Sequence, residues 1–131
     1  GMTPKQINND RIKVGAHFVR DMGVNLVLKG ARTIIATETG DLYINPTGNP
    51  SLAKGGSGDI LTGFIGGVLS QGYSMVESSL LGTYLHGYVA DTWVERYTAM
   101  DLLAGDLLDG VGNAVRDIRN GDDRVYIEKS L

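Results

Sequence analysis

Five residues, Gly55-Gly56-Ser57-Gly58-Asp59, constrain this chain more than any other segment. The stretch from Thr47 to Gly58 has no periodicity, and an apolar helical pattern follows from near Asp59 to about Ser70. A glycine loop therefore opens a helix. Glycine backbone can turn successive N–H groups inward, and the helix dipole adds partial positive charge at the same point. Such a cradle suits a phosphate or a developing negative charge. Asp59 sets a carboxylate beside it, and the two repel unless a metal or a proton-transfer role reconciles them. A general base that deprotonates a hydroxyl as it attacks a phosphoryl group fits that pairing. The same five residues also read as a flexible loop with Asp59 as an ordinary helix-start acid. Two well-known phosphate loops are excluded: GxxxxGK[ST] is absent, and Leu61 occupies the third glycine position of a GxGxxG starting at Gly56.

What surrounds the loop points to an α/β chain. Thr3, Pro4 and Gln6 make a capping box for one helix ending at Gly23, with Ile12, Ala16 and Val19 on its apolar face. Three apolar segments, 24–29, 33–37 and 42–45, read as strand, turn, strand, hairpin turn, strand. The first is nearly all apolar, as in a strand covered on both faces, and predicts a short, mainly parallel sheet with a hairpin, packed by helices. Leu61, Ile65, Val68 and Leu69 predict the core face of the helix after the glycine loop. Gly63, Gly66 and Gly67 lie inside that helix, each at a cost of about 1 kcal/mol relative to Ala. Their number predicts close backbone packing or a ligand approach. Further helices are expected from Met75 to Arg96, from Thr98 through Leu107 with Asp101 completing the cap, and from Val111 to Ile118. A strand is expected at Arg124–Glu128 after a turn at Asp122-Asp123.

Composition limits the partners. At 131 residues, 42% apolar and 21% charged, the chain reads as one domain over 1–131, with Gly1 ahead of Met2 as an expression scar. The absence of cysteine removes disulfides and thiol chemistry and fits a reducing cytoplasm. A net charge of −3 argues against nucleic acid and a polybasic membrane anchor. No apolar run approaches the ~18 residues of a membrane span.

Other chemistry-bearing residues have a plain alternative. His86, among Tyr84, Leu85 and Tyr88, reads as a packing histidine rather than a catalyst, and His17 as a surface residue. Lys54 is a phosphate contact or a solvated loop lysine; Arg32 touches phosphate, packs on a base, or is solvated. Trp93 reads as part of a core or interface cluster with Tyr84 and Tyr88. Asp91, Asp101 and Asp106 read as capping and solvated acids.

In order, Lys29-Gly30-Ala31-Arg32-Thr33, Asn45-Pro46-Thr47-Gly48-Asn49-Pro50, the GGSGD run and Tyr84-Leu85-His86-Gly87 with Asp91 resemble the signature of the ADP- or ATP-dependent NAD(P)H-hydrate dehydratase domain, of the ribokinase-like superfamily. The resemblance runs from about Arg11 to Arg119 and matches the C-terminal half of that domain. It implies that Lys29, Gly30, Ala31, Arg32 and Thr33 contact a nucleotide. It implies that Asn49 through Gly58, including Lys54, Gly55, Gly56 and Ser57, form the nucleotide and phosphate loop. It implies that Asp59 is the substrate-binding and catalytic acid. The implied activity is repair of hydrated NADH or NADPH by phosphorylation of its hydroxyl from ADP or ATP and then elimination, with Mg²⁺ on the nucleotide and no dedicated protein metal site. Ser51 departs from the family's usual glycine. Family domains also carry a further N-terminal half, so an unpaired sheet edge is expected here, covered in a homo-oligomer. Alternatives are an inactive nucleotide-binding remnant and a small-molecule kinase of the same superfamily.

Overall fold

A computed structural model describes residues 2–121. The N-terminal segment is two helices rather than one, α1 (Pro4–Asn9) and α2 (Arg11–Met22). The Thr3–Gln6 capping box forms as expected. The break falls at Asp10, whose carboxylate turns back to accept from the Lys13 amide and so caps a second helix. Gly23 ends α2 in the left-handed conformation at φ 63°. Gly15 and Val19 carry its buried face, while Ile12 is exposed.

Three strands follow, β1 (Leu26–Leu28), β2 (Ile34–Ala36) and β3 (Leu42–Ile44), in the order β1-β2-β3. The sheet is antiparallel throughout, which corrects the expectation of a mainly parallel one. The connections 29–33 and 37–41 are too short for the crossover that parallel neighbours require. The central strand β2 is buried along its length, and among the described residues β1 and β3 have no strand partner on their outer edges. α2 covers the face carrying Leu26 and Ala36. On the other face Ile35 and Tyr43 look across an apolar groove of about 470 Å³ towards Leu80, Leu81 and Tyr84.

A short 3₁₀ turn at Pro50–Leu52 leads to α3 (Ser57–Leu69), which begins at Ser57 rather than Asp59. α4 (Met75–Arg96) matches its expected span, and α5 (Asp106–Asn120) includes the predicted 111–118 helix. Phe64 and Val68 of α3, Leu85, Tyr88, Val89 and Ala90 of α4, and Leu102, Leu107 and Ala114 form the core. Leu61 is also buried, whereas Leu69 is exposed.

The close backbone packing expected at the α3 glycines is not found there among the described residues. A Cβ at Gly63, Gly66 or Gly67 meets nothing within 4 Å, so these face open space. The close approach is on α4, where a Cβ at Gly82 would lie 2.8–2.9 Å from Ile65, backbone included. No helix forms at 98–105. Asp101 accepts instead from the Trp93 indole at 3.0 Å, and the Lys54 ammonium takes the carbonyls of Met100 and Leu102 that a helix would need. Tyr88 belongs to the core cluster and Tyr84 and Trp93 pack against it, as expected; Trp93 also tilts against Tyr97 at 4.5 Å, and Tyr84 stacks on Tyr88. The predicted turn at Asp122-Asp123 and strand at Arg124–Glu128 lie outside the described residues.

Candidate active site

The Lys29–Thr33 loop joins β1 to β2, and its shape is set from outside. Arg11, on the first turn of α2, donates to the carbonyls of Leu28 at 2.6 Å, Ala31 at 2.9 Å and Arg32 at 3.3 Å. Those acceptors are spent on a fixed guanidinium fork, which holds Arg32 at φ 59°, a left-handed conformation unusual for a side-chain-bearing residue. A Cβ at Gly30 would sit 2.8 Å from the guanidinium, which would have to shift to admit it. Nothing local in the sequence connects residue 11 to this loop.

The segment 45–49 is clamped to α4. Buried Asn45 donates through Nδ2 to Thr47 and to the Thr83 carbonyl, and Thr47 Oγ1 donates to the Tyr84 carbonyl at 2.9 Å. Asp91, expected to be a solvated or capping acid, instead receives the Gly48 amide at 2.7 Å and the Asn49 amide nitrogen at 2.8 Å, one on each carboxylate oxygen. Asn49 Oδ1 accepts from the Ser51 backbone N–H and hydroxyl. Ser51 therefore closes the turn.

At the start of α3, Gly56 has φ 82°, and no side chain caps the helix. A Cβ at Gly55 or Gly58 meets nothing within 4 Å, while the Ser57 amide donates to the Lys54 carbonyl at 3.4 Å. Ser57 is buried. Its hydroxyl accepts from the Lys29 ammonium at 2.8 Å, and its carbonyl lies 2.9 Å from His86 Nε2. A carbonyl only accepts, so Nε2 carries the hydrogen. Burial pushes the His86 pKa down to about 4, the Lys29 charge pushes the same way, and the Ser57 bond opposes both. His86 is thus a neutral, satisfied core residue, packed edge-on against Phe64. His17 is exposed. Burial also lowers the Lys29 pKa, against the attraction of Asp59. Asp59 is exposed on the first turn of α3.

Between the two loops opens a cleft of about 760 Å³, lined by Lys29, Gly30, Ala31, Arg32 and Thr33 on one wall and by residues 46–50 and 52–54 on the other. Of the predicted residues, Lys29, Gly30, Ala31, Arg32, Thr33, Asn49 and Lys54 line it. Gly55, Gly56, Ser57, Gly58 and Asp59 stand outside its lining, joined to it through Lys29. Lys54 is neither a solvated lysine nor turned wholly to the cleft, because its ammonium ties the 97–105 loop. Among the described residues no three of His, Asp and Glu group as a metal site.

The family model described as NAD(P)H-hydrate dehydratase matches residues 1–111. The chain belongs to the NAD(P)H-hydrate dehydratase family. It is 43% identical over 118 residues to the bifunctional NAD(P)H-hydrate repair enzyme Nnr of Moorella thermoacetica, covering 90% of this chain and 22% of that protein. It is 40% identical over 125 residues to the ADP-dependent (S)-NAD(P)H-hydrate dehydratase of Neisseria meningitidis, covering 92% of this chain and 40% of that protein. The Bacillus subtilis ADP/ATP-dependent NAD(P)H-hydrate dehydratase, co-crystallised with ATP and Mg²⁺, superposes with a TM-score of 0.83 at 37% identity, over 86% of this chain and 40% of that one. The chain thus spans well under half the length of these relatives.

The cleft is of the size that holds a small organic ligand. The start of α3 has no side-chain cap, and the Lys29 ammonium is held at Ser57, its first residue.

Proposed function

We propose that the chain carries the nucleotide-binding and catalytic-acid part of an ADP- or ATP-dependent NAD(P)H-hydrate dehydratase. The observation that carries this is the open end of α3, with Asp59 on its first turn and the Lys29 ammonium held beside it. Lys29, Gly30, Ala31, Arg32, Thr33, Asn49 and Lys54 border the nucleotide, while the amides of 55–58 and Lys29 meet its phosphates. A bound nucleotide supplies, with Mg²⁺ on its phosphates, the phosphoryl group that turns the hydrate's hydroxyl into a good leaving group. Asp59 takes the proton from that hydroxyl as its oxygen attacks the terminal phosphorus and the P–O bond to the rest of the nucleotide breaks, releasing AMP from ADP or ADP from ATP. Phosphate then departs with the C–O bond electrons, a proton leaves the adjacent carbon, and the dihydronicotinamide double bond is restored. The 55–58 amides and Lys29 stabilise charge on the transferring group.

Calorimetric titration with ADP and ATP in magnesium, on the same sample assayed for recovery of NADH absorbance from its hydrate, tests this. Binding with turnover is expected, and absence of binding overturns the assignment. Asp59→Asn should lower turnover by at least about a hundredfold, the lower end for a general base, with nucleotide affinity retained. Loss of affinity without a chemical defect would remove Asp59 from its role. Copies of the chain pair through an open sheet edge in this proposal, and a single monomeric species in sedimentation at micromolar concentration counts against that pairing.

A further inference from the structure

Lys29, Ser57 and His86 come from β1's end, α3 and α4, and meet at one point. Ser57 is 1% and His86 3% exposed, so both are held by packing. As the first residue of α3, Ser57 already offers its carbonyl to the helical amide four residues on. Satisfying that carbonyl therefore does not require His86. The bond from Nε2 is a second one to the same oxygen, and Nε2 also lies 3.3 Å from Ser57 Oγ. Two contacts from one rigid ring fix both the Ser57 backbone and its hydroxyl. That hydroxyl is the hydrogen-bond partner of the Lys29 ammonium among the described residues. Two further ammonium hydrogens remain for an anion, and Lys29 lines the cleft.

Resting on the nucleotide assignment above, we infer that His86 is a positioning residue. Through Ser57 it holds the Lys29 ammonium at the open end of α3, where phosphate is to be bound. A lysine tail on its own loses several rotatable bonds of freedom when it meets a phosphate; one already anchored loses less. The neutral imidazole suits this task, since a charged ring would set a second cation against Lys29. An apolar residue would fill the same space beside Phe64 but would leave Ser57 Oγ without its lateral support.

The test is ADP affinity in magnesium, by calorimetry, across His86→Leu, His86→Gln, Ser57→Ala, Lys29→Met and the pairs with Lys29→Met. Circular dichroism checks that each is folded. His86→Leu should weaken ADP by about three- to tenfold, the fold-change equivalent to immobilising one rotamer-rich side chain. His86→Gln, which keeps an N–H donor, should recover most of it. In the Lys29→Met background His86→Leu should have no further effect. Ser57→Ala removes a single oxygen and should behave in the same non-additive way, which keeps the test open if His86→Leu does not fold. In ¹⁵N spectra His86 should show a protonated Nε2 and a bare Nδ1 at neutral pH. Losses that add fully to Lys29→Met, or unchanged affinity in folded His86→Leu, would overturn the positioning role alone. A wild-type chain that does not bind ADP would overturn the nucleotide assignment, and this inference with it.

Discussion

Gly87→Ala puts one methyl group where α4 meets the 45–49 segment. The added carbon would lie 2.1 Å from Thr47 Oγ1, 2.6 Å from the Thr47 carbonyl carbon and 2.7 Å from its Cβ. One of the three is backbone, so a side-chain rotation cannot relieve the clash and the segment must leave the helix. Overpacking of this kind costs about 1–3 kcal/mol. Moving Thr47 also loosens its bond to the Tyr84 carbonyl and that from Asn45 to the Thr83 carbonyl, at about 1 kcal/mol each. Against this, Ala gains about 1 kcal/mol over Gly in a helix interior. The net is a loss of about 2–4 kcal/mol, or a fall of roughly 1–2 M in the urea midpoint. Gly63→Ala is the matched control. It makes the same helix gain, and nothing lies within 4 Å of the new carbon, so it should stabilise by up to about 1 kcal/mol. Urea denaturation of the three proteins decides it. A Gly87→Ala midpoint at or above wild type would refute the close approach, and a clearly destabilised Gly63→Ala would refute the open face.

Asp91→Asn should destabilise by about 1–3 kcal/mol and weaken ADP binding, because an NH₂ then faces either the Gly48 amide or the Asn49 amide nitrogen. Unchanged midpoint and affinity would remove Asp91 from the loop's support. Stability should also fall with acidification from about pH 6.5 towards pH 4. Over that range the unfolded chain protonates His86 while the folded chain, at about 4, does not. The cost is on the order of 2 kcal/mol at pH 5, and stability should be insensitive to His86 above pH 7. The lowered carboxylates of Asp10, Glu77 and Asp101 act at and below their unfolded values of about 4, at the acid end of this window. His86→Gln should flatten the curve between pH 6.5 and 4.5, and an unchanged slope would refute the assignment.

Local chemistry was legible from residue order. The Thr3–Gln6 box, the stop at Gly23, the three strand segments, the span of α4 and the glycine opening of α3 each depend on neighbours a few residues apart. So did the antiparallel pairing, since five-residue connections exclude a crossover; the apolar first strand outweighed that signal and suggested parallel neighbours instead. The ordered motifs also marked the cleft walls and the family.

Partners far apart in sequence were not legible. Arg11 binding carbonyls about 20 residues on, Asp91 reaching back to Gly48 and Asn49, and Lys54 unwinding the predicted 98–107 helix by taking two of its carbonyls all depend on which elements pack. The glycines show the division most clearly. Sequence counts them and prices each against Ala in a helix, yet whether a missing methyl makes room for a neighbour or faces open space depends on the packing distance between elements. On α3 the space is open; at Gly82 and Gly87 it is filled by Ile65 and Thr47. Backbone propensity is a property of a residue and its neighbours in the chain, so the sequence alone determined most of the elements and their caps, the helix expected at 98–107 excepted. Side-chain partnership is a property of contact, so only the tertiary structure decided which charges and hydroxyls support the cleft.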